Sequence, residues 1–192
     1  MNLPNKLTLT RIIIVPFFVA ALLIPFPLHN LIALIFFAAA SVTDLLDGKI
    51  ARKNDLVTDF GKFADPLADK ILVLAALLCF VQNGLCDCVA VILVLLREFS
   101  VTSVRLIAAS KGKVIAANIW GKVKTVTQMI AVTVIITLQV FADLQSFGLS
   151  LPNNYQTIAF IVNEILIWIS TFFAVLSGVV YLKQNSGFIS DM

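Results

Sequence analysis

Apolar residues run along this chain in long blocks, and the polar ones gather at the seams between them. Six blocks approach about 20 residues, the length a helix needs to cross the hydrocarbon of a bilayer. They cover roughly 10–28, 31–50, 67–84, 87–108, 119–142 and 157–182. The pattern predicts an all-α integral membrane protein with six transmembrane helices. Before the first block, Asn2 to Arg11 mixes leucines with polar residues, which predicts an N-terminal segment lying in the membrane interface. The first block carries charge and prolines and is followed by similar blocks, so it does not read as a cleavable signal. Pro16, Pro25 and Pro27 are expected to bend or end the first helix. The third is expected to open at Asp65-Pro66, with proline in the first turn and Asp65 as its cap. With no repeat or linker, residues 1–192 read as a single domain.

Charge gives this bundle a direction. All 14 Lys and Arg fall in the N-terminal tail and first turn, the second-to-third connection, the fourth-to-fifth connection with its flanks, or the C-terminal tail. The alternate connections, around 27–30, 82–88 and 143–154, contain none. Positive residues stay on the cytoplasmic side, so both termini are predicted to be cytoplasmic. Only 13% of the chain is charged against 60% hydrophobic, and mean hydropathy is +1.00. The net charge of +3 therefore reads as topology and contact with anionic lipid, not as a nucleic-acid footprint. His29, the only histidine, reads as an interfacial residue. Cys86 and Cys88 flank Asp87 in an outer connection, as free thiols or a disulfide, with too few ligands nearby for zinc.

Against that apolar background one stretch concentrates the chemistry. It reads Asp44-x2-Asp47-Gly48-x2-Ala51-Arg52-x8-Gly61-x3-Asp65-x3-Asp69. Carboxylates at membrane depth are costly and mark functional sites by default. On helices, Asp44 and Asp47 share one face, and so do Asp65 and Asp69. Four acids brought together repel unless a cation sits among them, and oxygen donors suit magnesium, manganese or calcium. One carboxylate left free enough can take a proton from an attacking hydroxyl. Gly48 and Ala51 let a flat base or sugar approach the helix backbone, Arg52 can bind its phosphate, and Gly61 permits tight packing or a turn before Asp65.

A second polar concentration is basic. Arg97 and Arg105 lie eight residues apart in an apolar block, near two helical turns, so both can face one cavity. Their guanidinium forks match phosphate oxygens. Glu98 is placed to pair with one of them or orient it. Lys122 and Lys124 follow in the next block, and Tyr181 closes the last helix, where a plain interfacial tyrosine is the simpler reading.

Taken together, Asp44 to Asp69 resembles the complete signature of the CDP-alcohol phosphotransferase family. The resemblance implies a six-helix membrane fold, usually a homodimer, with two divalent cations (magnesium or manganese) at the cytoplasmic side. It implies that Asp44, Asp47, Asp65 and Asp69 hold the metal, with Asp69 as general base. Asp44, Gly48, Ala51, Arg52 and Gly61 match the positions that accommodate the CDP portion.

The flanks narrow the acceptor alcohol. Leu3-Pro4-Asn5-x2-Thr8-x2-Arg11, the run from Gly61 to Lys70, Arg97-Glu98-Phe99, and Gly121 to Met129 look like the bacterial branch that uses sn-glycerol 3-phosphate. That implies attack of its 1-hydroxyl on CDP-diacylglycerol at the bacterial inner membrane, giving phosphatidylglycerophosphate and CMP. A dianionic acceptor explains the second basic cluster, with Arg105 and Lys124 as leading phosphate contacts, then Arg97, Lys122 and Tyr181. Asn5 and Thr8 are candidate cavity contacts. Another acceptor within the family (inositol phosphate, serine or phosphatidylglycerol) is the alternative. A cation-coupled transporter is the remote one, since it needs acids near the bilayer midplane rather than among cytoplasmic bases.

Overall fold

The structure, a computed structural model, contains six α-helices among its described residues: α1 (Leu3–Leu23), α2 (His29–Lys53), α3 (Asp59–Gln82), α4 (Cys88–Ser110), α5 (Ile119–Gln145) and α6 (Tyr155–Gln184). Residues 3–53, 59–110 and 118–185 are described, and no strand occurs among them. Each helix overlaps one apolar block of the sequence. Counted over the described residues alone, two of them, α5 and α6, are long and apolar enough to cross a membrane. Shorter apolar helical stretches cover Thr8–Leu23, His29–Thr43 and Lys70–Gln82.

Two expectations about boundaries are corrected. The opening stretch is not a separate segment, because α1 is already helical at Leu3 and runs through Pro16 to Leu23. Thr8, Arg11, Val15, Phe18 and Leu22 recur at helical spacing and are all buried, whereas Pro16 is exposed. The polar residues of the opening therefore belong to the inward stripe of one helix. Pro25 and Pro27 lie beyond its end, in the connection to α2. The second correction concerns α3, which starts at Asp59. Asp65 and Pro66 lie inside the helix and not at its mouth, and Gly61 stands in helix and not in a turn.

The chain divides into two compact units, Met1–Asn83 with Val132–Ala159, and Gly84–Ala131 with Phe160–Met192. In the first unit α1 packs on both α2 and α3, which also touch each other. Phe18 of α1 lies 5.9 Å, ring to ring, from Phe37 of α2, and the buried Ala33 and Ala40 flank Phe37 by a turn on either side. Small residues beside a buried ring let two helix backbones approach. Leu72, Ala76 and Phe80 extend this core along α3, and Val132, Ile135 and Ile136 along α5. Asn83 donates from Nδ2 to the Leu22 carbonyl at 3.0 Å, satisfying an acceptor that the end of α1 leaves open. His29 is tied down as well, its Nδ1 bonding the Ala21 carbonyl at 2.9 Å across the α1–α2 connection.

In the second unit the buried stripe of α4 reads Ala90, Val94, Glu98, Val101, Val104 and Ala108. That of α6 reads Asn163, Ile167, Ser170, Ala174, Ser177 and Tyr181. Ser170 and Ser177 donate back to the Ile167 and Ala174 carbonyls at 2.9 and 2.8 Å, which lets hydroxyls sit inside an apolar helix. Glu164 accepts from the indole Nε1 of Trp168 one turn on, at 3.1 Å. All three cysteines are free, so no disulfide joins Cys86 to Cys88.

Candidate active site

The acidic motif is divided between two helices. Asp44, Asp47, Gly48, Ala51 and Arg52 lie on the last turns of α2, and Gly61, Asp65 and Asp69 on the first turns of α3. Both halves flank the single short connection between these helices. The side chains of these eight residues, and of Asn5, lie outside the described residues. What the backbone gives is register: two acids three apart on α2 and two acids four apart on α3, each pair on one helical face. Such a donor set, all hard oxygen, fits magnesium or manganese. Among residues whose side chains are described, no group of three or more His, Cys, Asp or Glu is arranged to hold a metal.

The N-terminal half of α1 joins this end of the first unit. His29 meets Ala21 and, further along α2, Phe37 meets Phe18, so α1 runs antiparallel to α2. Continued along both helices, that register brings the backbones of Thr8 and Arg11 level with the Asp44–Asp47 turn. Thr8 is 0% exposed and Arg11 only 1%. Sequence reasoning placed Thr8 here but passed over Arg11. A cation inside an apolar helix block was the signal that marks it.

The basic cluster of the second unit is described in full. Glu98 of α4, 5% exposed, is its centre. Its Oε1 accepts from Arg97 Nη1 at 2.8 Å and from Lys124 Nζ of α5 at 2.5 Å. Arg97 also donates from Nε to Ser177 Oγ of α6 at 3.0 Å. Two glycines make room for it. A Cβ on Gly178 would stand 2.9 Å from Arg97 Cγ, and one on Gly121 would stand 3.7 Å from Arg97 Nη2. Gly121 is in the first turn of α5, and its N–H is capped at 2.8 Å by the side-chain oxygen of Asn118.

Arg105 is exposed, two turns from Arg97, with its guanidinium carbon 5.5 Å from the centroid of the Tyr181 ring. Tyr181 is not an interfacial residue: it is 2% exposed, in a core with Val101 and Val104. Its hydroxyl has no hydrogen-bond partner among the described residues, and neither does Gln128 Nε2, one turn beyond Lys124. Lys122 is exposed. The structure thus gathers Arg97 and Lys124 on one carboxylate and sets Arg105 against Tyr181. Sequence reasoning did not identify Ser177, Gly178, Asn118 or Gln128, because small or neutral residues in an apolar helix carry no signal of their own.

Among the described residues, a groove of about 340 Å³ lies in the first unit at the opposite end of α2. It is lined by Pro25, Phe26, His29, Asp143 and Phe147 among others. Its polar groups are spent on one another, since Asp143 already accepts from Asn30 twice.

A sequence profile described as CDP-alcohol phosphatidyltransferase matches residues 1–176. The chain belongs to this family. It is 42% identical over 196 residues to the CDP-diacylglycerol–glycerol-3-phosphate 3-phosphatidyltransferase of Bacillus subtilis, covering 96% of this chain and 95% of that one. The Haemophilus influenzae protein of the same name is 36% identical, with 99% and 96% covered. That of Rickettsia bellii is 35% identical, with 95% and 94% covered. The region matched to the CDP-alcohol phosphatidyltransferase family includes the whole Asp44–Asp69 motif and the Arg97–Glu98–Lys124 cluster, while Tyr181 lies beyond it.

Proposed function

We propose that this chain transfers the phosphatidyl group of CDP-diacylglycerol to the 1-hydroxyl of sn-glycerol 3-phosphate, releasing phosphatidylglycerophosphate and CMP. The observation that carries this is the divided motif, with its two acid pairs on helix ends flanking one connection. The shared name of relatives at 35–42% identity supports the acceptor.

Asp44, Asp47, Asp65 and Asp69 are assigned to two divalent cations, magnesium or manganese. These carboxylates would hold the cations, which would supply counter-charge for the pyrophosphate and the leaving CMP. Asp69 accepts the proton of the acceptor hydroxyl as its oxygen attacks the lipid-side phosphorus, and the bond to CMP breaks in the same in-line step. Gly48, Ala51 and Gly61 leave space for the cytidine, while Asp44 and Arg52 hold the CDP portion. Arg97, Arg105, Lys122, Lys124 and Tyr181 are assigned to the acceptor phosphate. Arg105 comes first, since its fork is exposed while Arg97 and Lys124 are engaged by Glu98. Asn5 and Thr8 are assigned as cavity contacts.

All six helices are read as membrane spans of a single domain over 1–192, with both termini and the active site at the cytoplasmic face of a bacterial inner membrane. The placement of Lys and Arg supports that orientation. A homodimer is carried over from the family resemblance.

The test is CMP release by purified protein in detergent, with CDP-diacylglycerol and each candidate alcohol, with and without magnesium. Release that requires both the metal and sn-glycerol 3-phosphate is expected. Release with a different alcohol instead would keep the family and overturn the acceptor.

A further inference from the structure

We propose that Glu98 is a positioning residue for the acceptor. It holds Arg97 and Lys124 on one carboxylate oxygen, fixing where this cationic pair sits and how much charge it presents. The proposal rests on the assignment of the basic cluster to the acceptor phosphate.

The geometry argues for a built device and not a chance ion pair. Side-chain exposure is only 6% at Glu98, 11% at Arg97 and 10% at Lys124, so these charges are largely withdrawn from water. Two cations brought to the same oxygen repel each other, and burial raises that cost as the dielectric falls. Glu98 is the counter-charge that lets them stay. Removing one partner of a buried pair leaves an uncompensated charge, which the protein relieves by moving the side chain toward water.

Arg97 is held at further points. Ser177 Oγ accepts its Nε while donating to Ala174, so both roles of that hydroxyl are used. The shaft of Arg97 passes where Gly178 has no side chain, and its Nη2 comes out beside Gly121 and the capped start of α5. Lys124 has no such frame of glycines. Its ammonium shares with Arg97 the one Glu98 oxygen, which sets the two cations side by side.

The charge balance points to the ligand class. Arg97, Lys124 and Arg105 bring three cationic side chains to one unit, a setting that suits an anion. A phosphate monoester, at about −1.5 to −2 at neutral pH, is such an anion. With Glu98 neutralised, the site gains charge but loses the arrangement of its cations.

The experiment uses the full chain in detergent with magnesium, CDP-diacylglycerol and sn-glycerol 3-phosphate. E98Q is expected to raise the KM for sn-glycerol 3-phosphate about tenfold, the scale of one charge-assisted hydrogen bond. It is expected to leave kcat and the KM for CDP-diacylglycerol near wild type. E98D keeps the charge but retracts it, and its acceptor KM is expected between wild type and E98Q. If E98Q does not fold, E98D decides: an unchanged acceptor KM overturns the proposal. In the double variant E98Q/K124Q the rise is expected to be smaller than the product of the two single rises, because both act through one contact. A full product overturns the proposal. The two readings fail differently. If R97Q and K124Q leave the acceptor KM unchanged, the assignment of Arg97 and Lys124 to the acceptor phosphate itself falls. If they raise it and E98Q does not, only the positioning role falls.

Discussion

Asn30 and Asp143 stand 113 positions apart in the chain and are joined by two hydrogen bonds. Asp143 Oδ2 accepts the Asn30 backbone N–H, and Oδ1 accepts its side-chain amide, each at 3.1 Å. Since α2 begins at His29, a carboxylate from α5 thereby caps the first turn of another helix, where the helix dipole favours negative charge. His29 stands beside it, with Nε2 3.7 Å from Oδ1. D143A is expected to lower stability by about 1–3 kcal/mol, the cost of leaving such donors unpaired. D143N, which keeps one acceptor, should cost less. Thermal unfolding in detergent measures both, and activity per folded molecule should survive, because Asp44 to Arg52 lie at the other end of α2.

The general-base assignment makes a different demand on Asp69. D69N is expected to lower kcat by about 10²–10⁴-fold, the range a positioned acid or base contributes. The thermal midpoint should stay near wild type, since the substitution keeps size and shape. Chelating the divalent cation should abolish turnover in the wild type and restore it on adding magnesium back. Turnover by D69N close to wild type would remove Asp69 from the mechanism.

Gly178 tests the passage of Arg97. A Cβ there meets Arg97 Cγ at 2.9 Å, closer than carbon atoms tolerate, so either α6 shifts or the arginine leaves Ser177. G178A is expected to raise the KM for sn-glycerol 3-phosphate while sparing that for CDP-diacylglycerol. S177A removes one hydrogen bond without adding a collision, and its effect should lie in the same direction and be smaller. If S177A exceeded G178A, the steric account would be wrong and the hydroxyl would matter for itself.

The sequence made six helices and the acidic motif readable because each has a local cause. An apolar block of bilayer length and a carboxylate inside it stand out without knowledge of any partner. The start of α3 did not, because proline at position 66 suggests a first turn, whereas the helix begins at Asp59. The opening of α1 misled in a related way. Thr8 and Arg11 look like surface residues until Val15, Phe18 and Leu22 are seen to continue their stripe. What stayed hidden is long-range. Arg97 and Ser177 are 80 positions apart, and nothing local to Ser177 or Gly178 announces an arginine between helices. The sequence suggests an arginine partner for Glu98, but its second bond, to Lys124, comes from another helix and has no local sign.

Cys86 and Cys88 offer a test of orientation. Both are free, with Cys86 buried and Cys88 exposed, and they bracket the start of α4. Burial pushes the Cys86 thiol up to about 12, helped by the nearby charges of Glu164, Asp87 and Cys88. At pH 8 its thiolate fraction is about a thousandfold below that of an ordinary thiol, and the thiolate is the reacting form. A membrane-impermeant maleimide added to intact cells that have been made permeable only in the outer membrane, where one exists, should therefore label Cys88 and spare Cys86. C88S should abolish the signal. No reductant should be needed, since neither sulfur is in a disulfide. Raising the pH increases thiolate at Cys86, so its labelling should climb with pH but stay behind that of Cys88. Labelling of Cys88 only in inverted vesicles would place the α3–α4 connection on the cytoplasmic side. That result would reverse the orientation drawn from the lysines and arginines, and would move the acidic motif to the face away from cytoplasmic sn-glycerol 3-phosphate.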